Sequence, residues 1–233
     1  MVGHLEELRR RIFLSLLALV LATLISVPFS SWLLRLLKLP ARNLIDKLAF
    51  FGPEEAFLIF TRISFFSGLF ISFPFIAYQF WLFISPAFEA KLKRRAVYFV
   101  FCSSTAFITG GLFAYFILLS NALKFLLSLG SSDLVAVISA ARYVSFVITI
   151  ILASGLIFQM PIVILILTLF GIVNAGVLRK NFKFALIAIL IFAAIITPTT
   201  DAFNLLALAI PMMLLYEISI WISYFFQPKK KMT

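Results

Sequence analysis

Glu6 and Glu7 stand immediately ahead of Arg9, Arg10 and Arg11, and an unbroken apolar run follows them. In a helix, Glu6 and Arg10, and Glu7 and Arg11, sit four residues apart with the acid leading. In that order a surface ion pair contributes about 0.2–0.5 kcal/mol. The alternative role for these carboxylates is to bind a cation from outside the chain. The other candidate acids lie at the ends of apolar segments: Glu89 and Glu217 near basic clusters, Asp201 beside a Thr-Pro turn. Asp201 also reads as the cap of the last helix. Gln159, just before Met160-Pro161, is the most central strongly polar side chain. Its amide either satisfies backbone groups freed by Pro161 or joins a helix contact or polar path. His4 is the only histidine and Cys102 the only cysteine. That argues against a disulfide framework, a cysteine-based metal site and a histidine-centred catalytic pair within one chain. No nucleophile, base and oxyanion donor converge, so binding is expected rather than catalysis, with no cofactor and no metal. Cys102, in an apolar span without basic neighbours, reads as inert packing.

These groups must be positioned by membrane helices. Of 233 residues, 64% are hydrophobic and 12% charged, and the mean hydropathy is +1.15. Soluble domains average about 45–50% apolar and about 25% charged. A net charge of +11 in a soluble protein would suggest nucleic acid. Here the basic residues cluster at the ends of apolar segments, where they set orientation and meet anionic lipid headgroups, and no nucleic-acid partner is expected. The opening stretch does not read as a cleaved secretory address. Its charged head contains Glu6 and Glu7, no Ala-x-Ala-like site follows, and the apolar run continues past Val27 to Leu37.

A bilayer core of roughly 30 Å needs about 20 helical residues, and six candidate spans emerge, at about 12–34, 56–85, 96–119, 143–170, 184–197 and 203–226. The expectation is an all-α integral membrane protein forming one polytopic domain over residues 1–233. Pro28 should kink the first span, Pro74 interrupt the second and Pro161 lie inside the fourth. The fifth covers only about 20 Å before Thr197-Pro198, and the sixth is expected to break early at Pro211. The last two helices are therefore read as a short hairpin turning at 197–203, a feature that thins the bilayer or shelters behind longer neighbours.

Arg9–Arg11, Lys91 to Arg95, Arg179 to Lys183 and Lys229–Lys231 fall on one side, which the positive-inside rule makes the cytoplasm, with both termini in it. Arg35, Lys38, Arg42, Lys47, Lys124 and Arg142 fall on the other, with Arg62 snorkelling outward from just inside the second span. Gly52-Pro53-Glu54-Glu55 reads as a helix start, with proline in the first turn and carboxylates against the positive dipole end.

Several ordered motifs resemble the TatC family of the twin-arginine translocase. "HLEELRRRI" is similar to that family's opening motif, "GPEEAF" to its Ser-Pro-x-Glu-x-Phe, and "FPFIAYQFWLFISPAF" to the stretch that closes its second span. "FQMPIV" and "TPTTDAFNLLALAIPMMLLYEISI" resemble its fourth-span and closing motifs. The resemblance implies six helices in a glove-like bundle with a short final pair and both termini cytoplasmic. It also implies a receptor for twin-arginine signal peptides in a prokaryotic inner membrane. Folded cargo would be exported with TatA-like and TatB-like single-span partners, driven by the proton-motive force. The chain would form a homo-oligomer within a hetero-complex, and would not itself hydrolyse ATP. The chain's own Arg10-Arg11-Ile12-Phe13-Leu14 resembles the arginine pair that marks cargo of that pathway.

Carried over residue by residue, the resemblance assigns signal-peptide binding to Glu7 with Leu5, Arg9 and Arg11 around it, and to Arg94 in the first cytoplasmic loop. It implies intramembrane or partner contacts at Gln159, Pro161, Asp201, Pro211 and Glu217. Two positions depart from the pattern. Leu92 stands where the family has its second carboxylate, with Glu89 about one turn earlier as the candidate substitute. Gln159 stands where the family often has glutamate, which removes a titratable group. Two other readings compete with the receptor. One is a small-solute secondary transporter, although such proteins usually show repeated halves. The other is a divergent assembly scaffold with reduced signal binding.

Overall fold

The computed structural model describes residues 2–42, 44–45, 48–87, 96–128, 137–196 and 202–226, apart from the side chains of residues 2–4, 87 and 203. Ten α-helices are seen among them. α1 (Val2–Ser26) is followed by a tighter turn at Val27–Phe29 and by α2 (Ser30–Lys38). α3 is Pro53–Ile84, α4 is Ala96–Phe113 and α5 is Leu119–Ser128, the last two joined by a π-helical turn at Ala114–Leu118. α6 (Ala140–Ile157), α7 (Met160–Leu169), α8 (Ala175–Lys180), α9 (Phe182–Ile196) and α10 (Ala202–Phe226) complete the order. No strand forms among the described residues, where one isolated backbone bridge joins Ala49 and Ser139. Among the described residues five helical segments are long and apolar enough to cross a membrane, and Phe182–Ile196 is shorter.

The prolines separate into two kinds. Pro28 lies in the turn between α1 and α2, and Pro161 sits in the first turn of α7, just past a break at Phe158-Gln159. Both occur where expected. Pro74 and Pro211, by contrast, lie inside unbroken helices of 32 and 25 residues. This corrects the expected interruption at Pro74, the expected early break at Pro211 and the short sixth helix. A proline inside a helix removes one hydrogen bond. Ending the helix there would expose several more backbone groups to hydrocarbon, each at a cost of several kcal/mol. Of the final pair only α9, at 15 residues, is short. The hairpin turn itself, at 197–201, lies outside the described residues.

By contact the chain divides into two compact units, Met1–Ile108 with Gly130–Thr149, and Thr109–Leu129 with Ile150–Thr233. In the first, α1 lies along α3 at close range. A Cβ added to Gly68 would come within 2.6 Å of the Thr23 backbone nitrogen and 2.7 Å of its Cα, so only glycine admits this approach. Aromatic packing fills the rest: Phe73 stacks on Phe107 with centroids 3.9 Å apart, and Trp81 on Phe99 at 4.5 Å. Gly52-Pro53 opens α3 as expected, with Glu55 accepting the Phe51 amide at 2.9 Å. The Tyr143 hydroxyl donates to the Leu37 carbonyl at 2.8 Å, and the exposed Arg62 donates to Ser145. Cys102 is exposed on α4.

In the second unit, Gly110 is the close-approach residue, where a Cβ would meet the Ser154 carbonyl at 2.7 Å. Gly171, at φ +72°, ends α7 in the left-handed conformation that glycine adopts without penalty. The Asn174 side chain caps α8 by accepting the Val177 amide at 2.9 Å. The Thr168 hydroxyl donates to the Ile164 carbonyl at 2.8 Å and shares a hydrogen bond with the Ser223 hydroxyl at 3.0 Å, both residues being fully buried between α7 and α10. Thr168→Val should therefore lower the thermal midpoint in detergent by an amount corresponding to about 0.6–2 kcal/mol. Adding Ser223→Ala should recover part of that loss, because no hydroxyl is then left unpartnered.

Candidate functional site

Glu7 and Arg11 occupy successive turns of one face of α1, so the helical repeat alone brings them together. Arg11 Nη2 lies 3.0 Å from Glu7 Oε1. Among the described residues no partner engages Glu7 Oε2. The two side chains are 30% and 25% exposed, half-sunk between water and the helix pair. Glu6 and Arg10, the other pair with helix spacing, are exposed and make no ion pair with each other. The equivalence of the two pairs in the sequence is thus broken by the neighbour helix. Leu5 and Arg9 are exposed on the same segment.

That neighbour supplies a group to which the sequence alone gives no role. Arg11 Nη1 donates to Gln79 Oε1 at 3.1 Å, across the packing of α1 on α3. Gln79 is buried, at 5% exposure. Arg11 Nε is also buried and has no partner among the described residues. The available hint was a strongly polar amide inside the apolar run Ala77-Tyr78-Gln79-Phe80-Trp81. Its pairing with Arg11 is tertiary and leaves no trace in local spacing. Beside this cluster runs an apolar groove of about 320 Å³, walled by Leu8, Ile12, Leu16 and Leu19 of α1 and by Ile76, Phe80 and Phe83 of α3. The Arg11 guanidinium and the Gln79 amide therefore line a hydrocarbon-like channel, and the Glu7 carboxylate is joined to it through Arg11. The arrangement can pair with a cationic group and lay an apolar chain beside it.

The other candidates are spread apart. Glu89, Leu92, Arg94 and Asp201 lie outside the described residues. Gln159 forms the turn between α6 and α7: its backbone carbonyl accepts from Ile162 and Val163 at 2.9 and 3.0 Å, and its side chain does not cap α7. Pro161 is buried and Pro211 half-buried. Glu217 Oε1 pairs with Arg179 Nη2 at 2.8 Å on an exposed surface, and beneath it the buried Tyr216 hydroxyl donates to the Leu178 carbonyl at 2.9 Å. These two contacts fix α8 to α10. Among the described residues no three metal-ligating side chains gather.

A family model described as Sec-independent protein translocase protein (TatC) matches residues 3–211. A protein of that name from Koribacter versatilis strain Ellin345 is 36% identical over 234 residues, covering 98% of this chain and 86% of the relative. Another, from Aquifex aeolicus strain VF5, is 38% identical over 232 residues, covering 98% and 96%. A crystal structure described as the twin arginine translocase receptor TatC aligns with TM-score 0.79 at 37% identity, covering 94% of this chain and 97% of that one. A second, in DDM, aligns with TM-score 0.82 at 38% identity, covering 94% and 99%. The relatives are translocase components, a transport role rather than an enzymatic one, and they match the all-helical membrane fold described above. The chain therefore belongs to the TatC family and is a multi-pass inner-membrane component of the Sec-independent protein translocase.

Proposed function

We propose that this protein is the receptor for twin-arginine signal peptides, with Glu7 as its principal carboxylate. The observation that carries the reading is the order of chemistry along α1: a partly exposed carboxylate, one of whose oxygens has no partner among the described residues, then an apolar groove. A twin-arginine signal has the same order, an arginine pair followed by an apolar stretch. A guanidinium on a carboxylate forms charge-assisted bonds of about 1.5–3 kcal/mol. Lysine lacks the planar fork that makes the contact bidentate. Both termini lie in the cytoplasm on this reading, as the distribution of arginine and lysine implies. Folded cargo crosses under the proton-motive force with single-span partners of the TatA and TatB kind. Glu89 and Arg94 complete the site from the first cytoplasmic loop. Gln159, Pro161, Asp201, Pro211 and Glu217 contribute the contacts within the membrane and with partners. The solute-transporter alternative gives way to the family membership.

A photo-crosslinker at Leu5, which is 68% exposed, tests the reading in membranes containing the partner proteins. A twin-arginine precursor should be labelled and its twin-lysine version should not. Equal labelling of both would contradict the receptor role, and retained partner assembly with no labelling of either would favour the scaffold reading.

A further inference from the structure

Arg11 is held between two unlike acceptors. The carboxylate of Glu7 on its own helix takes Nη2 at 3.0 Å, and the neutral amide oxygen of Gln79 on α3 takes Nη1 at 3.1 Å. Arg11 is also the second arginine of Arg10-Arg11-Ile12-Phe13-Leu14, a run with the form of the ligand proposed above. The chain thus places an arginine of its own on the carboxylate that an incoming guanidinium would need. We propose that Arg11 is a resident placeholder on Glu7, and that Gln79 is the acceptor that keeps Arg11 when a ligand guanidinium displaces it. This makes Gln79 a specificity-determining residue, and the proposal rests on the reading of Glu7 as the ligand's carboxylate.

On leaving Glu7, Arg11 gives up its charged acceptor. Its side chain is three-quarters buried, and its Nε already lacks a partner among the described residues. Without Gln79, release from Glu7 would leave a guanidinium largely withdrawn from water with no acceptor among the described residues, so Arg11 would hold the carboxylate more tightly against a competitor. With Gln79, one hydrogen bond survives the exchange and the ligand has only the second to replace. A neutral amide is also the weaker acceptor of the two, so Arg11 still rests on Glu7 when no ligand is present. The resident arginine thereby sets a threshold. A bidentate guanidinium passes it, whereas a lysine ammonium, a point charge without the fork, competes poorly.

The test is equilibrium binding of a labelled twin-arginine signal peptide to the purified full-length protein in detergent, with its twin-lysine version alongside. Gln79→Leu should weaken twin-arginine binding about tenfold. Adding Arg11→Met to Gln79→Leu should restore it, because the competitor is gone. Gln79→Glu draws Arg11 away from Glu7, so it should tighten binding severalfold and raise twin-lysine binding more than twin-arginine binding. Misfolding would weaken both Gln79 variants alike. That outcome, no effect in either, or a Gln79→Leu defect that Arg11→Met does not relieve, would each overturn the placeholder. Glu7→Gln reports separately on the underlying reading. If it leaves binding intact, the receptor assignment at Glu7 falls. If it abolishes binding while both Gln79 variants bind normally, only the placeholder falls.

Discussion

Glu7→Ala should lower the affinity for a twin-arginine signal by at least about tenfold, and Glu6→Ala should change it by less than about twofold. The two residues are adjacent and chemically identical, so neither composition nor net charge distinguishes them. The neighbour helix does. Glu7 is half-sunk beside Arg11, which lines the groove, whereas Glu6 is exposed and makes no ion pair with Arg10. The fold should not suffer, because a partly exposed i, i+4 ion pair contributes only about 0.3–0.5 kcal/mol. A loss of binding would therefore report on the site and not on unfolding, which thermal melting of the variant in detergent checks. Glu89→Ala should be less damaging than Glu7→Ala if, as the resemblance implies, Leu92 stands in the place of the family's second carboxylate and Glu89 is three residues off it. A larger effect at Glu89 would mean that the principal carboxylate has been assigned wrongly.

Gly68→Leu should produce the largest loss of stability of any single substitution in α3. The atoms in the way are the Thr23 backbone nitrogen and Cα, 2.6 and 2.7 Å from an added Cβ. Backbone of a packed helix cannot rotate aside as a flexible side chain can, so α1 and α3 must separate. Overpacking typically costs about 1–3 kcal/mol, and leucine adds three carbons beyond Cβ. Even Gly68→Ala, which at an open helix position would gain about 1 kcal/mol from propensity, should destabilise here. The sign of that change, read as a shift in thermal midpoint, decides whether the helices meet at this distance. Signal binding should fall as well, because the same separation draws Gln79 away from Arg11. A stabilised Gly68→Ala variant would contradict the close packing.

Much of this molecule is legible in its sequence, because hydrocarbon imposes a simple rule on length and polarity. The spans, the weakness of the fifth helix, the kink at Pro28 and the place of Pro161 inside the fourth span all follow from runs of apolar residues and their interruptions. Pro74 and Pro211 carry the same local signal, yet their helices continue, since one missing hydrogen bond costs less than ending a helix within the membrane. The family motifs single out Glu7 over Glu6, and the structure supplies a physical difference between them. Gln79 is the residue that local pattern does not reveal. Its value comes from meeting Arg11, 68 positions away, and a contact of that kind depends on the α1 and α3 crossing that Gly68 permits. Cys102 shows a related limit: an apolar span does not disclose which of its faces is covered.

Whether Glu7 holds the signal's guanidinium directly is tested by a double-mutant cycle between protein and peptide. Binding would be measured for wild type and Glu7→Gln, each with a twin-arginine and a twin-lysine peptide, in the purified protein. Wild type should prefer the arginine peptide by at least about tenfold, and Glu7→Gln should bind both weakly and nearly alike, giving a coupling of about 1–3 kcal/mol. An arginine preference that survives unchanged in Glu7→Gln would contradict the account, because the carboxylate would then play no part in reading the arginine pair.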